Sequence, residues 1–260
     1  MLKDITLGQY FPGNSIAHKL DPRTKILLVT LYIIALFSAK GWMGYAVMAV
    51  TLAACVKVSH VGLRALVRGL KPLVFIIAFT GILNMFFTPD THYLWEWGIL
   101  RVSVKGIENA LFMVIRIMLL VMGTFLMTYT TSPIRLTDGL ESLLNPLKKI
   151  HVPVHELAMM MAIALRFIPT LIEETDKIMS AQKARGADFD SGNIFQKAKA
   201  LVPILVPLFI SAFRRADELA TAMECRCYHG GEGRTKLHVL KYQRRDYVAL
   251  AGGVVILALV

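Results

Sequence analysis

Two short stretches of this 260-residue chain repeat one arrangement of side chains. Ile178, Ala181 and Arg185 stand at i, i+3 and i+7, and so do Leu219, Ala222 and Arg226. On an α-helix that spacing puts each trio on one face. Ala184-Arg185-Gly186 closes the first stretch and Cys225-Arg226-Cys227 the second. A single arginine in a last helical turn is explained by the negative end of the helix dipole, with Gly186 as the left-handed residue that ends the helix. A duplicated arginine asks for more. Two similar helix ends suit a partner that offers two similar acidic or carbonyl-lined grooves, where a planar guanidinium makes several directional hydrogen bonds.

Other residues promise less chemistry. Gly230 to Lys236 is rich in glycine and cations but lacks the order G-x-x-x-x-G-K-[ST], and no strand precedes it, so it reads as a basic turn. Cys225, Cys227 and His229 crowd three possible ligands into five residues, unlike a common zinc pattern. His151 and His155 are separated by Pro153, which breaks the helix that a paired-histidine metal site requires. No nucleophile constellation or carboxylate pair stands out, so neither catalysis, nor a cofactor, nor a metal is expected of this chain. Met159, Met160 and Met161 sit beside alanines and form an adaptable apolar surface suited to interchangeable partners, although each alone would serve as core filler. Arg116 lies in the middle of an apolar run with no evident acidic partner, which argues against a proton-coupled carrier.

The elements that must position these residues belong to a membrane protein. Hydrophobic residues make up 55% of the chain and mean hydropathy is +0.56, too apolar for an ordinary soluble domain. Five runs read as spans: 24–39, 41–56, 72–88, 106–131 and 247–260, the last cut short. No cleavable signal peptide is expected. The formal charge of +11 would suit nucleic acid, but its placement suits a bilayer instead. Lys19, Arg23 and Lys25 precede the first run, and Lys57, Arg64, Arg68 and Lys71 crowd the link before the third. The opposite side carries Lys40, Arg101 and Lys105, with Tyr93, Trp95 and Trp97 as an interfacial belt. The N-terminus is therefore expected in the cytoplasm, along with everything from 132 to 246.

That gives an all-α integral membrane protein with a four-span domain at 1–131, a cytoplasmic coupling domain at 132–246 and a last span at 247–260. Within the coupling domain three helices are expected, near 155–167, 169–185 and 204–226, with breaks at Pro169 and before Ile204. The apolar run 200–213 is short and holds Pro203 and Pro207, which reads as a buried or interfacial helix. Spans at 157–172 and 200–213 would leave the orientation unchanged.

Across almost its whole length the chain also resembles the transmembrane T component of energy-coupling factor transporters. The resemblance runs through the leader from Gln9 to Lys25, then Leu136 to Leu147, Ala164 to Leu171, Ala181 to Asp188 and Ala222 to Lys236. It implies a non-catalytic subunit of the cell membrane whose two arginine-tipped helices dock on two related ATPase subunits of the ABC type. On that reading the contacts are Ala184, Arg185, Gly186, Cys225, Arg226 and Cys227. It also implies a membrane-embedded S component that recognises a vitamin or trace nutrient, for which Met159 to Met161 offer a surface. The second motif departs from the simpler form, having Cys-Arg-Cys where Ala-Arg-Gly is expected. A conventional importer permease with its own substrate path is the alternative.

Overall fold

The structure is a computed structural model that describes residues 10–88, 93–97, 100–187, 189, 193–231 and 239–260. In chain order its helices are α1 Ile16–Lys19, α2 Pro22–Ser38, α3 Gly41–Ser59, α4 Leu63–Leu70, α5 Val74–Phe87, α6 Val104–Thr130, α7 Pro133–Leu144, α8 Val154–Ala184, α9 Ile194–Glu224 and α10 Arg244–Leu259. Between α5 and α6 a small antiparallel hairpin pairs β1, Tyr93–Trp97, with β2, Leu100–Ser103, Trp97 standing opposite Leu100. The helical membrane architecture expected from composition is thus present, with this hairpin added. The side chains of Tyr93, Trp95 and Trp97, and the stretch from Glu232 to Lys236, lie outside the described residues.

The chain divides into two compact units, one formed by residues 8–142 and 240–260, the other by 143–239 with 1–7. The first is a helix bundle. Leu36, Met48 and Leu66 are fully buried at its centre, joined by Ala35, Leu119 and Tyr129. Gly123 lets α6 approach α2 so closely that any side chain there would run into the ring of Tyr32. Tyr32 in turn donates its hydroxyl to the carbonyl of Leu119 at 2.9 Å. Such close contact at a small residue is how helices adhere where water supplies no hydrophobic drive. Outward, the bundle is apolar: Met43 is 82% and Phe75 79% exposed, a surface matched to lipid rather than to water.

At one face of this bundle three helix ends meet, and charge satisfies each. Asp21 caps α2 by accepting the Arg23 N–H at 2.9 Å, and its carboxylate takes the Arg23 guanidinium at 3.0 Å from both Nε and Nη2. Asp246 sits in the first turn of α10, 2% exposed, accepting the backbone N–H of Asp21 at 2.9 Å and of Gln243 at 2.8 Å. Lys25 donates its ammonium to the carbonyl of Thr130, the last residue of α6, at 2.8 Å, and to the Thr131 hydroxyl at 3.1 Å. Carboxylates thus lie at helix N-termini and the ammonium at a C-terminus, each where the dipole favours it. The leader motif Asp-Pro-Arg-Thr-Lys therefore has a local job in this bundle: it ties α2 to α6 and α10.

Among the described residues, four helical stretches are long and apolar enough to cross a membrane by length and composition: Gly41–Ser59, Leu63–Phe87, Val104–Thr130 and Val154–Ala184. The span expected at 72–88 begins earlier, at Leu63, and a 3₁₀ turn at Lys71–Leu73 carries the helix past Pro72. α2 and α10, with 17 and 16 residues, are about 25 Å long, short of a hydrocarbon core of about 30 Å. Arg116 lies within α6 with its guanidinium 5.6 Å from the Phe37 ring and 5.7 Å from the Tyr45 ring, so aromatic faces rather than carboxylates receive it.

The second unit corrects the helix boundaries. The breaks expected at Pro169 and before Ile204 do not occur, and α8 and α9 each run unbroken for 31 residues through their prolines. A proline removes one helical N–H and so frees the carbonyl four residues earlier. Pro207 frees the carbonyl of Pro203, and the side-chain amide of Gln182 donates to that oxygen at 3.4 Å. A helical neighbour thus takes over what the proline gave up. The apolar run 200–213 is not buried either: only Ile204 is, at 4% exposure, while Val202, Phe209 and Phe213 are open at 51%, 60% and 70%.

Candidate functional site

The two arginine motifs close their helices with the same pair of closing hydrogen bonds. At the end of α8 the N–H of Ala187 reaches the carbonyl of Gln182 at 3.0 Å, and that of Gly186 reaches Lys183 at 3.0 Å. At the end of α9 the N–H of Tyr228 reaches Met223 at 3.0 Å and that of Cys227 reaches Glu224 at 2.8 Å. These are two Schellman closures. Arg185 and Arg226 occupy the same position in them, one residue before the left-handed residue, each donating its backbone N–H three residues back at 3.1 Å. Gly186 has φ +87° and Cys227 φ +55°. The Cys-Arg-Cys departure is therefore no departure in backbone: cysteine fills the glycine's place at the cost of a strained, left-handed conformation.

Both arginine side chains are exposed, and neither has a hydrogen-bond or ionic partner among the described residues. Cys225 and Cys227 are exposed free thiols. Among the described residues no cluster of His, Cys, Asp or Glu could hold a metal ion. What the motifs offer is two cationic forks on stiff stalks.

The stalks run antiparallel. Near the start of α8 the His155 ring touches Gly231, and the Tyr228 hydroxyl lies 3.5 Å from His155 Nε2. Further along, Arg215 pairs with Glu174 at 3.3 Å, and near the end Gln182 meets Pro203. As one helix advances the other recedes. Arg226 therefore lies at the His155 end of the pair and Arg185 at the Pro203 end. A helix of 31 residues at about 1.5 Å each is roughly 45 Å long, which puts the two tips on the order of 40 Å apart. The two arginines are not brought together into one site; they are held apart at opposite ends.

Met159, Met160 and Met161 stand one turn beyond His155, at the Arg226 end, with Met160 54% and Met161 40% exposed. Two features escaped the sequence reading. One is the open apolar stripe of α9, Val202, Val206, Phe209 and Phe213, whose helical period was visible but whose prolines argued against a continuous helix. The other is Gln182, one turn before Arg185, which fixes that arginine's stalk against α9; nothing in its type or spacing marks it out.

Residues 13–237 match the CbiQ family, described as cobalt transport protein. The chain is 55% identical over 246 residues to the energy-coupling factor transporter transmembrane protein EcfT of Ruminiclostridium cellulolyticum, covering 95% of this chain and 92% of that protein. It is 46% identical to the protein of the same description from Bacillus subtilis over 259 residues, all of this chain and 98% of the other. With that of Lactococcus lactis subsp. cremoris the identity is 45% over 245 residues, 94% of this chain and 92% of the other.

Proposed function

This chain belongs to the CbiQ cobalt transport protein family and is the energy-coupling transmembrane component of a transporter, and from that premise we propose that Arg185 and Arg226 dock two related ATPase subunits, one at each end of the α8–α9 pair. The observation that carries this reading is the repetition of one cap, with an unpartnered exposed arginine at the same position, at two points roughly 40 Å apart. That separation gives each arginine its own docking domain of about 30 Å across. ATP is hydrolysed on those partner chains. A nucleotide-driven change in the distance or tilt between them acts on both tips of a stiff antiparallel pair, and the pair passes the movement on. For that, each ATPase state must hold the tips differently.

The receiver is a membrane-embedded S component that carries a vitamin or trace nutrient. Met159, Met160 and Met161, apolar and adaptable, lie on α8, the stalk that Arg185 closes, and give such a partner a surface. Replacing Met160 and Met161 with Asp should weaken S-component association and leave ATPase binding intact; loss of ATPase binding alone would contradict the assignment. The membrane is the cell membrane and the N-terminus is cytoplasmic, a reading supported by Arg23, Lys25, Arg244 and Arg245 at one face of the bundle. A cysteine placed at Asp90 should be labelled from outside intact cells, and one placed at Ser191 should not.

The deciding measurement is uptake and subunit pull-down for the pair Arg185→Gln and Arg226→Gln. Arginines that merely complement their own helix dipoles contribute about 0.3 to 1 kcal/mol each, and their loss would leave complexes and transport near normal. Docking arginines make the pair fail to hold the ATPases, with membrane insertion unchanged.

A further inference from the structure

A second feature, unrelated to the arginine tips, lies on the flank of the helix bundle. A groove of about 690 Å³ runs between α2, α3 and α10 with α6 as its floor. Its walls are aliphatic, including Leu28, Leu52, Leu126 and Ile256, and Ile16, Ala17 and Leu20 of α1 line it together with Arg244 and Arg245. We propose that this groove holds one anionic phospholipid, its acyl portion along α10 and its phosphate on Arg244 and Arg245.

The length of the groove suits a lipid of one leaflet. The lining extends along α10 from Arg244 to Ile256, about 18 Å of helix, close to the roughly 15 Å depth of one leaflet's hydrocarbon. Gly252 lines the groove with open space before it, and Gly253 admits Leu28 of α2, so small residues keep the slot open.

Charge selects the headgroup. Arg244 and Arg245 are the first two residues of α10, where the positive end of the dipole disfavours cations, so their own helix gives no reason for them. Asp246 beside them is buried and accepts two backbone N–H groups, and neither arginine has an ionic partner among the described residues. Lys25, the third cation lining the groove, already serves the end of α6. Two uncompensated guanidinium groups lining an apolar slot call for a phosphate that carries net negative charge.

Native mass spectrometry of the purified full-length chain, titrated with dioleoyl phosphatidylglycerol or dioleoyl phosphatidylcholine, tests this. One phosphatidylglycerol should be retained with about tenfold preference, falling to near parity in the variant carrying Arg244→Gln and Arg245→Gln. Gly252→Leu, whose side chain enters open space, should lower retention of both lipids several-fold. Unchanged preference in the double variant, or unchanged retention in Gly252→Leu, would overturn the proposal. Cys55 lines the same groove. A thiol-linked benzophenone at Cys55, in a Cys225→Ala and Cys227→Gly background in native membranes, should crosslink to phospholipid. Crosslinking to a polypeptide instead would give the groove to a partner helix and refute the lipid.

Discussion

The bundle and the α8–α9 pair treat charged side chains in opposite ways. In the bundle Asp21, Lys25 and Asp246 are buried, and every one is engaged with a helix end of the same unit. In the pair Arg185 and Arg226 are exposed and engage no described group. A charge that satisfies the fold's own backbone is structural. An exposed one, repeated at the same cap position and spare to the fold, is available to something outside it.

The comparison breaks first at the arginines. Arg185→Glu together with Arg226→Glu should abolish ATPase association, at about 2 to 5 kcal/mol for each buried, hydrogen-bonded contact reversed. The thermal midpoint of the isolated chain should hardly move. A large fall in that midpoint would show that these arginines belong to the fold after all.

The bundle should answer in the reverse sense. Asp246→Ala strips the buried Asp21 N–H of its acceptor, and the more exposed Gln243 N–H with it, so at about 1 to 3 kcal/mol for the buried group it should lower stability by roughly 1 to 3 kcal/mol. Thermal unfolding in detergent measures it. Chain that still folds should bind ATPase subunits normally.

Smaller changes sharpen the contrast within the pair itself. Gln182→Ala orphans the Pro203 carbonyl at a site that is partly solvated, so its stability cost should stay near 1 kcal/mol. Its effect on coupling should be larger, because the Arg185 stalk loses its tie to α9. Hydrolysis measured against uptake in reconstituted complexes separates the two effects, and an equal fall in both would assign Gln182 to stability alone. Cys227→Gly should raise stability by up to about 1 kcal/mol, since glycine takes the left-handed conformation without strain. It leaves the position of Arg226 unchanged, so ATPase pull-down should match the parent chain.

Much of this protein was legible in its residues. Apolar runs of about 20 residues demand a bilayer wherever they occur. The echo between Ile178–Gly186 and Leu219–Cys227 is a local pattern, and local hydrogen bonds decide how a helix ends, so the matching caps follow from sequence alone. The resemblance of the ordered motifs to energy-coupling factor T components was equally local, and full-length relatives at 45% to 56% identity support it.

Only the tertiary structure decided what depends on a neighbour. Pro169, Pro203 and Pro207 read as breaks because a proline interrupts an isolated helix, whereas a Gln182 amide 21 residues away supplies the bond that Pro207 removes. The burial of Asp246 and Lys25 rests on backbone groups 225 and 105 residues distant in sequence. The distance between Arg185 and Arg226 was beyond any pattern in the chain. Spacing along a helix fixes which side chains share a face, but the pairing of α8 with α9 fixes that the two arginines face apart.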